Sequence, residues 1–325
     1  INGSDHFLGY DFQRVFTERI AIRGQSTAGT SNRVFSFANL VGGNAGSSFL
    51  PLNDLFDARV YFLRTSMGVT YRLTKRLQVE LQADGFNIRR VNALTGVNGY
   101  SAGASVNYRL NQRQWVGALY NFIHFDYPKA FGESDIQMFG GVFVHNFTRR
   151  IQLETTAGAF RSDVAGTRVV AADPIVRELL GIDQIAEAFS RASVRPMVNI
   201  NLRAGFRQSS VALGYSRTPS AGNGVLQTST GESFNGSYSY TPDRRSTFSF
   251  SGNVMRASSL GADLPGFASL GAAGNASYLL RRGFQVFSTI QYRYTDVVFE
   301  RYPKNTYRIG IGITYSNSAV PVTYF

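Results

Sequence analysis

The sequence predicts an all-β fold: a single closed, antiparallel up-and-down transmembrane β-barrel of about fourteen strands, with sixteen as the alternative. Three observations carry the prediction. Apolar and polar side chains alternate with period two over stretches longer than most soluble strands. Short turns and long links alternate along the chain. No apolar run approaches the roughly 18 to 20 residues that a membrane-spanning helix needs. Composition agrees, since 43% hydrophobic residues are too many for disorder, and 33 glycines with 14% aromatics suit strands and turns.

Residues 1–11 read as an N-terminal extension or hatch, and residues 12–316 as the barrel. One strand is expected over Phe12 to Arg23, followed by a long loop containing Phe35 to Leu40. Three strands before Val60, or a hatch folded into the lumen, are the alternatives. From Val60 onward thirteen strands follow. Tyr61, Leu63, Met67, Val69 and Tyr71 alternate with Arg64, Ser66, Gly68, Thr70 and Arg72, while Leu77, Val79, Leu81 and Ala83 alternate with Gln78, Glu80, Gln82 and Asp84. Tyr100 to Tyr108 alternates with Ser101 to Arg109, and Ile151 and Leu153 with Gln152 and Glu154. Downstream, Val198 to Phe206 alternates with Asn199 to Gly205 through Arg203, and Ile290, Tyr292 and Tyr294 with Gln291, Arg293 and Thr295.

Tyr307, Ile309, Ile311, Ile313 and Tyr315 alternate with Thr306, Arg308, Gly310, Gly312 and Thr314. Eight residues of a strand tilted about 40° set the two tyrosines roughly 20 Å apart along the barrel axis, near the height of a membrane band with aromatic girdles. Tyr61, Tyr71, Tyr307 and Tyr315 are therefore expected to face lipid. The charged residues on the opposite face, Arg64, Arg72, Arg109, Arg203, Arg293 and Arg308 with Glu80, Asp84 and Glu154, are expected to line a wet lumen, because burying an unpaired charge is prohibitive. Between the strands, Ser162 to Ala192 breaks the period. Asp173 and Pro174 read as a helix start, so residues 163–191 are expected to form a helical loop that either lids the barrel or constricts its lumen. The last nine residues, 317–325, read as a tail.

The short turns carry most of a formal charge of +12: Lys75 and Arg76, Arg113, Arg149 and Arg150, Arg207, Arg244 and Arg245, and Arg281 and Arg282 form an expected basic rim. Such a rim suits an acidic partner, an anion or the headgroups of anionic lipid. Dispersed arginines without a recognition module argue against nucleic acid. Zero cysteines and three histidines leave no thiolate site and little for a histidine-built metal centre, so no metal or cofactor is expected. His124 and Asp126, with His145 two strand ends away, are the best acid–base candidates, but no nucleophile is specified beside them and no enzyme is expected. The chain opens at Ile1 without a charged-then-apolar leader, so any export signal is expected to have been removed or never to have existed.

From Val60 to Ser316 the sequence resembles the bacterial outer-membrane β-barrel superfamily, in architecture and not in a family motif. The resemblance implies a multi-pass barrel in the outer membrane, surrounded by its lipid, with the basic short turns periplasmic and the long loops extracellular. It also implies a porin-like channel whose arginines favour small or anionic solutes, or an export pore for a secreted polysaccharide. A polysaccharide slide would need more lumenal aromatics than Phe62 and Phe287. The alternative is a non-conducting structural or docking barrel whose rim holds an acidic envelope protein.

Overall fold

The computed structural model describes residues 6–31, 59–90, 96–129, 131–173, 177–178, 181, 183–222, 227–261, 266–281, 284–297, 304–317 and 320–323. Sixteen strands form one sheet in chain order, each antiparallel to the next. They are β1 (His6–Val15), β2 (Ile20–Ser31), β3 (Val60–Arg72), β4 (Leu77–Arg90), β5 (Val97–Arg109), β6 (Gln114–Tyr127), β7 (Gly132–Asn146), β8 (Ile151–Ala171), β9 (Gln184–Gly205), β10 (Ser209–Ser220), β11 (Ser229–Tyr240), β12 (Ser246–Ser259), β13 (Phe267–Arg281), β14 (Phe284–Val297), β15 (Lys304–Asn317) and β16 (Val320–Thr323).

Three expectations are corrected. First, the sheet is not a closed barrel: β1 pairs with β2 and β16 with β15, and the two end strands are not joined to each other. The last strand explains part of this, because four residues are too few for a membrane-crossing strand, which needs roughly 9 to 11. Second, the count is sixteen, the alternative, and not fourteen. The expected strand Phe12 to Arg23 is broken by a turn in which the Thr17 hydroxyl accepts the N–H groups of Arg19 and Ile20 at 3.2 and 3.0 Å. As a result β1 begins at His6, inside the stretch read as an extension, and β16 occupies part of the stretch read as a tail. Phe35 to Leu40 lies outside the described residues.

Third, among the described residues the helical insertion does not form an element. β8 and β9 run on as one hairpin, paired without a break from Ile151↔Ala204 to Ala171↔Gln184. Ile185 and Phe189, four residues apart, fit a helical face, but four is also an even number and places them on one face of a strand. What remains of the helix among the described residues is two backbone bonds, from Arg177 N–H to the Asp173 carbonyl and from Gly181 N–H to the Arg177 carbonyl, each 2.9 Å, ended by Gly181 at φ 65°. Most of residues 174–182 lies outside the described residues.

The two faces differ in exposure. The outer face carries Tyr61, Leu63, Met67, Tyr100, Phe139, Phe250, Ile290, Tyr307, Ile309 and Ile311, all exposed, with Ile309 at 74% and Ile311 at 79%. No second layer covers it among the described residues. An apolar area of this extent is what hydrocarbon, not water, would cover. On the inner face the residues change along the strand: polar and charged toward the short turns, apolar toward the long links. Val60, Phe62, Phe86, Ile88, Val97, Ile123, Phe125, Tyr127, Ile136, Met138, Phe160, Val164 and Met197 form one buried cluster at that loop end, joined by Ala221 and Leu260 from links further along the chain. The sheet therefore curves with this face inward. Close approach is tightest at Gly158, where a Cβ would overlap the Phe139 carbonyl oxygen.

Candidate functional site

The inner face is the candidate site, and its registers follow from period two. Arg64 on β3 and Asp84 on β4 sit diagonally across one ladder, and Arg64 Nη2 meets Asp84 Oδ1 at 3.1 Å, with side chains 11% and 8% exposed. Gln82 Nε2 donates to the other carboxylate oxygen at 2.7 Å, and the Ser101 hydroxyl from β5 donates to it at 3.4 Å. Glu80 is paired with Arg23 of β2. The Arg64–Asp84 pair is nearly buried and matched, as desolvated charges require, whereas the Arg23–Glu80 pair is more exposed.

Of the remaining expected inner-face charges, Arg72 and Arg203 are exposed and Arg109 and Glu154 are half-buried. Arg72, Arg109 and Arg203 lie within two residues of strand ends, so they belong to the turn end and not to the middle of the wall. Arg109 is held there, its guanidinium 5.5 Å from the Trp115 ring centroid and its Nε donating to the Asn111 carbonyl at 3.2 Å. Arg293 is buried and Arg308 half-buried on β14 and β15. The structure thus brings Arg64 to Asp84 but gives Glu80 a partner the sequence reading missed. Arg23, Gln25 and Thr27 share the inner face opposite Ile20 and Ile22, and that alternation was the available signal.

At the loop end, described residues of two links meet the inner face. The Tyr127 hydroxyl donates to the Ala221 carbonyl at 3.1 Å and lies 3.1 Å from Thr228 Oγ1, which also contacts the Ser134 hydroxyl. Leu260 N–H donates to the Thr228 carbonyl at 3.0 Å. Ala221 and Thr228, the described flanks of the β10–β11 link, are therefore held against the inner ends of β6 and β7, 94 and 101 residues away in sequence, and Leu260 of the β12–β13 link bonds to Thr228. Phe189 and Val164 close against Gly261 beside it. Every hydroxyl in the Tyr127–Thr228–Ser134 set has a partner, which is what makes its burial tolerable. Sequence reasoning missed these contacts, although the change of phase at Phe122-Ile123, after which Ile123, Phe125 and Tyr127 are the apolar positions against His124 and Asp126, signalled that the apolar side switches there.

The described turns at the opposite end are basic and exposed. Lys75, Arg76, Arg113, Arg149, Arg150, Arg207, Arg244 and Arg245 are exposed in the turns. Arg282 and the side chain of Arg281 lie outside the described residues. Tyr61, Tyr71 and Tyr307 are exposed on the outer face, at 45%, 39% and 75%; the side chain of Tyr315 lies outside the described set. Asp243, at the turn between β11 and β12, accepts the N–H groups of Arg245 and Ser246, each at 2.7 Å. Those two bonds hold its carboxyl below the usual carboxylate range.

The acid–base candidate is rearranged. His124 Nδ1 meets Asp135 Oδ1 at 2.7 Å, not Asp126, and its ring stacks on Tyr100 with centroids 5.0 Å apart. Asp126 instead accepts from Asn98 at 3.4 Å. His145 lies at the other end of the sheet, opposite Gln114 and against Phe147. All three candidates are on the outer face. Among the described residues no cluster of three or more His, Asp or Glu side chains is arranged to hold a metal.

No family model and no curated protein matches the chain. Solved structures do. The FrpB iron transporter from Neisseria meningitidis aligns with a TM-score of 0.51 at 8% identity, over 96% of this chain and 57% of that one. "Copper transporter OprC" aligns at 0.47 and 10% identity over 97% and 64%, and the ferric yersiniabactin uptake receptor FyuA from Yersinia pestis at 0.49 and 7% over 96% and 56%. The chain thus spans less than two thirds of the length of these relatives. At such identity the likeness is one of fold: the chain shares the large antiparallel all-β sheet of these transporters and receptors.

Proposed function

We propose that this chain forms the wall of an outer-membrane transporter, with its inner face along the solute path and the β10–β11 link as the closure of that path. The observation that carries the reading is the contrast across one sheet: an exposed apolar outer face against an inner face with a nearly buried ion pair and link residues held against it. Water on one side and hydrocarbon on the other is the condition under which both faces are satisfied. Transport is the activity that suits a wet path with a removable stopper.

A finer reading is a preference for small anions. Asp84 and Glu80 are each matched by an arginine, which leaves Arg72, Arg109 and Arg203 to set the potential at the turn end of the path. A polysaccharide fits less well, because Phe62 is buried in the apolar cluster and Phe287 is packed against Gly312.

Planar-bilayer recording tests both levels. The wild type is expected to conduct little, and a Tyr127→Phe, Thr228→Val double variant, which unseats the link, is expected to conduct more, with reversal potentials favouring chloride over potassium. Silence in both proteins would overturn transport in favour of a docking barrel. Cation selectivity would remove the anion preference alone.

A further inference from the structure

Four consecutive hairpins end in the same four-residue unit: an apolar residue, a capping side chain, a variable residue and arginine. They read Phe16-Thr17-Glu18-Arg19, Leu73-Thr74-Lys75-Arg76, Leu110-Asn111-Gln112-Arg113 and Phe147-Thr148-Arg149-Arg150. A fifth turn keeps its second half, Asp243-Arg244-Arg245, after Tyr240. In each, the capping oxygen accepts the N–H of the arginine: Thr17 at 3.2 Å, Thr74 at 3.1 Å, Asn111 at 2.8 Å, Thr148 at 3.1 Å and Asp243 at 2.7 Å.

The same arginines are fixed a second time. The carbonyls of Arg19, Arg76, Arg113, Arg150 and Arg245 accept the N–H of Arg72, Arg109, Asn146, Gly205 and Leu279 on the next hairpin, each at 2.8 Å. Two backbone bonds thus set every one of these arginines at an equivalent position, while its side chain stays exposed. Successive turns lie two strand spacings apart, about 10 Å. On the outer face, directly before each cap, an apolar side chain is exposed: Phe16 at 55%, Leu73 at 42%, Leu110 at 45% and Phe147 at 49%.

We propose that this turn end is a belt that binds the phosphate groups of anionic phospholipids in the leaflet it faces. The order along each unit, apolar anchor and then guanidinium, is the order of hydrocarbon and then phosphate at a membrane surface. Across the described turns the charge is one-sided: Arg19, Lys75, Arg76, Arg113, Arg149, Arg150, Arg207, Arg244 and Arg245 against Glu18 and Asp243, and the Asp243 carboxylate is engaged by backbone N–H groups. Guanidinium groups match phosphate oxygens with paired donors. Repetition hairpin after hairpin suits a surrounding lipid surface, whereas a protein partner would need one patch. The proposal rests on the membrane placement above and not on transport.

The test is lipid selectivity in the reconstituted full chain. In phosphatidylcholine vesicles carrying trace spin-labelled lipid, the wild type is expected to immobilise phosphatidylglycerol several-fold over phosphatidylcholine. In a variant with R19Q, R76Q, R113Q, R150Q and R245Q the ratio is expected to fall to one, and lysine at the same five positions is expected to retain most of it. Unchanged Trp115 emission and β-sheet circular dichroism establish that the variants are folded, and the single change R150Q, expected to lower the ratio partway, serves if the fivefold variant does not fold. A wild-type ratio of one, or a ratio untouched by glutamine, overturns the belt. So does full displacement of phosphatidylglycerol by inorganic phosphate at constant ionic strength, which would mark a site for free phosphate. Selectivity kept by the glutamine variant while it loses binding of polyglutamate would assign the rim to an acidic protein. A chain that fails to float with vesicles overturns the membrane placement as well.

Discussion

The two ends of the sheet are built on opposite principles. At the turn end five hairpins are closed by capping contacts two or three residues apart, side chains stay exposed, and one unit is reused in four of them. At the loop end the decisive contacts span 94 and 101 residues, side chains are buried, and no unit repeats. The turn end is consequently modular, so that damage to one turn stays local. The loop end is cooperative, because the cluster draws on seven strands and two links at once.

This comparison can be broken by substitution, and the largest effect is expected at the loop end. Phe160 is fully buried, so Phe160→Ala is expected to cost about 3 to 5 kcal/mol of stability, read as a fall in the urea midpoint of Trp115 fluorescence. The same change at exposed Phe147 should shift that midpoint far less. If the two shifts are equal, the loop-end cluster is not the cooperative core.

Next in size is the inner-face pair. Asp84→Ala leaves Arg64 nearly buried beside no carboxylate and is expected to cost about 3 kcal/mol, while Arg64→Met with Asp84→Leu should recover most of it. A double-mutant cycle on the same unfolding signal measures the coupling, and a coupling of zero would make the pair incidental.

A single turn comes lower. Thr74→Val removes the acceptor of the Arg76 and Leu77 N–H groups, at 3.1 and 2.9 Å, but water can replace it, so a loss of about 0.5 to 1 kcal/mol is expected and Thr74→Ser should restore it. A much larger loss would show that the turns are not independent.

The smallest effect is a pH dependence. The Asp243 carboxyl is held below its ordinary value, so its stabilising contribution is complete above the unfolded carboxylate pKa and is lost as pH falls through the lower folded value. Melting curves of wild type and Asp243→Ala are expected to differ at neutral pH and to converge on acidification. A gap that widens in acid would reverse the assignment.

Legibility in the sequence follows the same division. Strands β3 to β15 could be read from alternation, because one residue of phase moves every side chain to the other face and the pattern admits few registers. Phe12 to Arg23 was misread because its alternation continues through a turn whose only local mark is Thr17. Ile185 and Phe189 were misread because their spacing satisfies two periods at once. The Arg64–Asp84 contact was legible as two charges on one face of adjoining strands, whereas Arg23 could not be matched to Glu80 until β2 was placed beside β3. Nothing local tells Thr228 that it will meet Tyr127 and Ser134.

By itself, then, the amino-acid sequence determined the all-β class, the face each residue occupies and the chemistry of the short turns, since these depend on period two and on hydrogen bonds within a few residues. Only the tertiary structure decided that the sheet has sixteen strands with unjoined ends, that Ala221 and Thr228 meet Tyr127 at its loop end and which charges are matched. Those outcomes depend on bringing distant strands together, and the gain from burying Tyr127 against Ala221 and Thr228 exists only once the sheet has curved.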